Sequence, residues 1–277
     1  MTRKVLIGFQ SDDIIHDKDK STQDFLNKIP GFQKLLKITV ADMMEKMAAI
    51  EYSGNGLNIN KNSSPKLNLA LNQAARILAM DIVPAISTEW HYAINAFSVG
   101  DQNKRLVLLS GAVDLLNEEE LQFILGHELG HMKCNHMPYL MLTESLYTPI
   151  ANTAMGSLIL STIKMPLMNW YRIADFTADR AGLLCCQDIR VALSTMIKMA
   201  GLPKSYYSQI DINSFILQAR DFKMNFTTNL DKVMKFISNN GTFHPWLVLR
   251  ASELLDWYES GAYNAVIQKH GTNIKFN

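Results

Sequence analysis

His127 and His131 stand four positions apart in the run His127-Glu128-Leu129-Gly130-His131. On an α-helix that spacing puts both imidazoles on one face, one turn apart, where two ring nitrogens reach a single zinc ion. Glu128 is rotated by about 100° from His127, so it points beside the metal and is placed to take a proton from an activated water instead of ligating. The chemistry expected of this set is peptide-bond hydrolysis by water, with zinc polarising the carbonyl and Glu128 as general base. Three fixed positions in five also occur by chance on helix surfaces. Leu121, Phe123, Ile124, Leu125, Leu129 and Met132 mark this helix as buried, however, and unsatisfied imidazoles and carboxylates are costly there.

Two helical ligands leave a catalytic zinc one protein group short. Asp175 and Asp179, in Tyr171 to Arg180, are again one helical turn apart, so one can bind the metal while the other accepts the free ring N–H of a ligating histidine. Asp175 is assigned to the metal and Asp179 to the histidine; alone, the pair would read as a solvated acidic face beside Arg172 and Arg180. His136 lies about 140° round the helix from His131 and is expected to point away from the metal. Cys134 reads as a small buried core residue.

These residues need elements to hold them. The hydrophobic spacing predicts helices at about 32 to 51 and from Leu67 to Leu78, with a Gly-, Asn- and Ser-rich loop from Tyr52 to Pro65 between them. A β-hairpin is expected from Ile94 to Val99 and Arg105 to Ser110. Asn117, followed by Glu118 to Glu120, is an N-cap for a helix running through the two histidines to about His136. Further helices are expected at about 167 to 186, 190 to 200, 212 to 222, 229 to 238 and 246 to 258. The class is α+β, mainly helical with a small antiparallel sheet, divided into a helical N-terminal extension at 1–83 and a catalytic domain at 84–277.

The chain of 277 residues carries 27 basic and 26 acidic side chains and is 48% hydrophobic. It can bury a core, and its balanced charge argues against nucleic-acid partners. Cys134, Cys185 and Cys186 form no disulfide framework, so reduced thiols and a cytoplasmic location are expected. The apolar run Val5 to Phe9 is too short for a signal-peptide core. Ser145 to Ile163 is uncharged for nineteen residues, but Pro149, Asn152, Gly156 and several hydroxyls favour a buried or interfacial helix over a membrane span.

The set resembles the zinc metallopeptidase family of CaaX prenyl proteases, HtpX-type membrane proteases and their soluble relatives. Ile94-Asn95-Ala96-Phe97-Ser98-Val99-Gly100 is similar to that family's Asn-Ala-Phe strand. Arg172, Asp175 and Ala178-Asp179 match its Arg-x-x-Glu-x-x-Ala-Asp segment, and His244-Pro245 with Arg250 its His-Pro-x-x-x-x-Arg segment. The resemblance implies a zincin-type fold, one zinc per chain on His127 and His131, Glu128 as base, and His244 as a catalytic contact near the reacting carbonyl. It implies a peptide or protein substrate. Asp175 departs from the family's glutamate and shortens the ligand by one methylene, so the helix backbones must come closer. That departure motivates the alternative of a weakly active or regulatory zinc-binding protein, and the uncharged segment motivates the alternative of a membrane-associated protease.

Overall fold

The computed structural model describes residues 3–39, 44–145, 154–225 and 246–273, with side chains at 38, 39, 145 and 154–162 left aside. In chain order these form β1 (Lys4–Leu6), α1 (Asp17–Asn27), α2 (Phe32–Thr39), α3 (Glu45–Gly54), β2 (Leu57–Ile59) and α4 (Pro65–Ile77). Next come β3 (Ala85–Glu89), β4 (Ala96–Val99), β5 (Arg105–Leu109), α5 (Ser110–Leu115), α6 (Glu118–Lys133), α7 (Met137–Ser145) and α8 (Ala154–Cys186). The chain continues through α9 (Ile189–Met199), α10 (Ile212–Asn225), α11 (Leu247–Glu259) and α12 (Ala262–His270) to β6 (Gly271–Asn273). The expected helix at 229 to 238, the His244-Pro245 pair and residues 146–153 of the uncharged stretch lie outside the described residues.

The class is the expected one, α+β and mainly helical, but strand pairing is richer than a hairpin. β4 and β5 pair antiparallel with Phe97 opposite Val107, while β3 runs parallel to β5 with Ser87 opposite Val107. The sheet order is β2-β3-β5-β4, which leaves β4 at an edge. β2 falls inside the stretch read as a loop. A second sheet pairs β1 with β6, Lys4 opposite Asn273; strands of three residues are too short to show a period. α1 is capped by His16, whose ring Nδ1 accepts the Lys18 N–H at 3.2 Å.

α6 starts where the N-cap reading placed it. Asn117 Oδ1 accepts the Glu120 N–H and Glu120 Oε2 accepts the Asn117 N–H, each at 2.9 Å, which satisfies two end groups reciprocally. The helix stops at Cys134 because Asn135 takes a left-handed turn with φ 55. Every residue from Glu120 to Met132 is buried, so α6 is a central helix covered by α4, α8, α9 and the sheet.

The tightest packing is between α6 and α8. A Cβ added at Gly126 would lie 2.6 Å from Cys185 Cβ, and one at Gly130 would lie 2.6 Å from Ala181 Cβ. Only small residues on both faces permit this approach. At the far side of the sheet, Glu45 at the head of α3 accepts the backbone N–H groups of Asp101, Gln102 and Asn103 at 2.9, 3.1 and 2.9 Å and the Asn103 side chain at 2.7 Å. It thereby pins the turn that joins β4 to β5. Burial raises the Glu45 pKa, but these hydrogen bonds lower it further, leaving it below the ordinary glutamate value.

Two outcomes follow. Gly130→Ala should destabilise the fold by about 1–3 kcal/mol, because the added methyl overpacks a rigid seam; the urea midpoint measures it, and no change would mean the helices separate freely. Glu45→Gln should cost about 1–3 kcal/mol near neutral pH by weakening bonds to a charged acceptor. Because the folded pKa is lowered, that stabilisation is present above the unfolded glutamate pKa and is lost as pH falls through the folded value. The gap between wild type and Glu45→Gln should therefore shrink in acid, and a gap independent of pH would contradict the role given to the charge.

Candidate metal centre

The one-turn spacing on α6 and the tight seam with α8 bring three groups to one point. His131 Nε2 lies 3.2 Å from His127 Nε2. Asp175 Oδ1 lies 3.4 Å from His131 Nε2 and 3.8 Å from His127 Nε2. Around a tetrahedral zinc with bonds of about 2.0–2.1 Å, neighbouring ligand atoms are about 3.3 Å apart, so the donor set and its edges suit that ion. All three residues are buried, and they are the one such group of His, Cys, Asp or Glu found among the described residues.

The aspartate reaches this point because the backbones are close. The seam at Gly126 and Gly130 draws Ala178, Ala181 and Cys185 against α6, which supplies the approach that a side chain one methylene shorter requires. Gly126 and Gly130 were the signal for this in the sequence, one inside the histidine run and one just before it.

The outward ring nitrogens also have partners. His127 Nδ1 lies 2.9 Å from Asp179 Oδ1, the hydrogen bond expected for Asp179. Arg250 on α11 donates to the same carboxylate, from Nε at 2.8 Å and from Nη2 at 2.5 Å. Burial raises the Asp179 pKa, yet the charge and hydrogen bonds of Arg250, with His127, outweigh it and hold the group below the ordinary aspartate value. His136 is no part of the three-residue cluster, and it meets His131 from the side away from that cluster, with its Nδ1 3.0 Å from His131 Nδ1. Helical angles stop applying at Asn135, whose left-handed turn swings His136 back beneath His131.

Glu128 sits beside the cluster, and its Oε2 accepts a hydrogen bond from Ser98 Oγ of β4 at 2.7 Å. Ser98 carried no signal beyond its place in a strand. The cavity in front of these groups is about 1000 Å³ and is lined by Asn95 to Ser98, His127, Glu128, His131, Tyr171, Asp175, Leu202, Tyr207, Trp246 and Arg250. It is large enough for several peptide residues and is mixed in character, with one wall made by an edge strand. Cys134, Cys185 and Cys186 are all free and buried; burial pushes the Cys134 thiol up, which suits the core role expected of it. Among the described residues no helix is long and apolar enough to cross a membrane.

Comparison with known proteins places this geometry. Residues 67–258 match peptidase family M48. The chain is 32% identical over 265 residues to the plastoglobule-localized metallopeptidase 48, chloroplastic, of Arabidopsis thaliana, covering 94% of this chain and 76% of that protein. It is 34% identical over 93 residues to the uncharacterized metalloprotease YhfN of Bacillus subtilis, covering 33% of this chain and 21% of that protein. No solved structure gives a significant match. The chain belongs to peptidase family M48 and is a metallopeptidase that acts on peptide or protein substrates.

Proposed function

We propose that the chain is a zinc-dependent metalloendopeptidase with one zinc held by His127, His131 and Asp175 and with Glu128 as its general base. The observation that carries the reading is the triangle of two Nε2 atoms and one carboxylate oxygen, with edges of 3.2, 3.4 and 3.8 Å, beside a buried glutamate. Zinc bound there supplies Lewis acidity that polarises the scissile carbonyl and acidifies water. Glu128 accepts the proton of the attacking water and passes it to the leaving nitrogen. Ser98 holds one carboxylate oxygen of Glu128 by a hydrogen bond. Asp179, itself clamped by Arg250, accepts the Nδ1 proton of His127 and so keeps Nε2 free to ligate.

The substrate backbone adds antiparallel or parallel to β4, whose outer edge has no strand neighbour among the described residues and whose residues Asn95 to Ser98 line the cavity. His244 is assigned a contact to the reacting carbonyl; its chain neighbours Trp246 and Leu247 line the same cavity. Residues 1–83 form a helical extension on the catalytic domain at 84–277, with α1 against α8 and α4 against α6. The free buried thiols support a reducing compartment and a cytoplasmic location.

Glu128→Gln should retain one zinc per chain while lowering hydrolysis of an unfolded protein substrate by about 10²–10⁴-fold, the range for a lost general base. Full activity in that variant, with chelator-sensitive wild type run in parallel, would remove Glu128 from the role. Asp175→Glu should not improve the enzyme: with the backbones held close at the α6–α8 seam, the longer side chain carries its carboxylate past the point shared with the two Nε2 atoms and lowers zinc affinity. Activity above wild type would instead favour the reading of a scaffold weakened by its aspartate.

A further inference from the structure

The ring of His131 has two ends, and the proposed mechanism uses only Nε2. Its Nδ1 faces Nδ1 of His136 at 3.0 Å. Of two facing ring nitrogens, one must carry the proton and the other must accept it. With Nε2 of His131 turned to His127 and Asp175 as a ligand, the proton of His131 sits on Nδ1 and His136 Nδ1 is the acceptor. The proton of His136 then sits on Nε2. That nitrogen lies 3.0 Å from Asp19 Oδ2, off the line of a straight hydrogen bond, and has no better partner among the described residues.

Asp19 comes from α1, far away in sequence, and is wholly buried, as is His136. Its carboxylate is fixed on all sides. Trp170 Nε1 donates to Oδ1 at 2.7 Å, Gln23 Nε2 donates to Oδ1 at 2.8 Å, and Thr177 Oγ1 donates to Oδ2 at 2.6 Å. The His136 ring stands edge-on to Trp170, with centroids 5.4 Å apart and planes at 88°. Packing therefore sets the plane of His136, and the facing nitrogens pass that constraint to His131.

We propose that Asp19 and His136 are positioning residues of the metal centre, so that the N-terminal helix α1 fixes the tautomer and ring plane of the ligand His131 through His136. The inference rests on the reading of His131 as a ligand. It makes docking of α1 and metal affinity reciprocal: bound metal protects α1, and loosening α1 weakens the metal.

The test is zinc affinity of the full 277-residue chain, measured by competition with a chromophoric chelator, together with the visible spectrum of the cobalt(II) form. His136→Phe, which removes the acceptor, should weaken zinc by about 10–100-fold, the usual effect of losing the partner of a ligating histidine, and should shift the cobalt bands. His136→Gln, whose side-chain carbonyl can accept the His131 Nδ1 proton, should recover most of the affinity. Asp19→Asn should weaken zinc by about 10-fold. Zinc should also slow amide exchange across residues 17–27 in the wild type. Equal affinity and spectra in wild type and folded His136→Phe would overturn the proposal, as would equal losses in the Phe and Gln variants, which would mark a packing defect. Should His136→Phe not fold, unchanged affinity in Asp19→Asn or zinc-independent exchange of α1 would overturn it equally. If wild type and His131→Ala bound zinc alike, the ligand reading itself would be the one to fall.

Discussion

The contact between α6 and α8 is the constraint from which the site descends. At Gly126 and Gly130 the two helices meet without room for a methyl group on α6, and protein interiors at such density yield little. The distance between the backbones is thus set by the absence of side chains. Every group that α8 presents to α6, including Asp175 and Asp179, inherits that distance. The opposite face of the same helix carries Trp170 and Thr177, which meet Asp19. One packing decision positions both the ligand triangle and its support.

Around this seam, charge is buried in small closed sets. Asp179 faces Arg250 and His127. Glu120 meets Lys198 Nζ at 2.6 Å and Ser194 Oγ at 2.8 Å while it also caps α6. Burial raises the Asp19 pKa, and His136, Thr177 and Gln23 more than reverse it, so the carboxylate stays ionised. Such sets add little net stability, since removing ions from water costs about what their pairing returns. What they supply is orientation. A buried carboxylate with every acceptor site engaged cannot rotate, and neither can the ring it holds.

The legible part of this arrangement was the part written at helical spacing. His127, Glu128 and His131, then Asp175 and Asp179, lie at intervals of one, three or four, and an uninterrupted helix turns such intervals into geometry. The limits of α6 were equally open at Asn117, where a cap and three acidic residues coincide. The sequence is opaque where the chain breaks its period. Asn135 adopts φ 55, so the angle calculated for His136 had no helix to act on. Asp19 lay in a segment rich in charge, where one buried carboxylate looks like its exposed neighbours. β3 lies parallel to β5 with β4 between them in sequence, and parallel partners are chosen by topology, which residue alternation does not encode.

The pairing of β1 with β6 joins Lys4–Leu6 to Gly271–Asn273, almost the widest sequence separation the described chain allows. Synthesis runs from the N-terminus, at about 5–20 residues per second, so β1 emerges long before its partner exists. His270 tightens the same junction, with Nδ1 2.9 Å from the Ile7 carbonyl oxygen. Until residues 271–273 leave the ribosome, β1 lacks the strand it pairs with in the folded protein, so this small sheet closes late in folding.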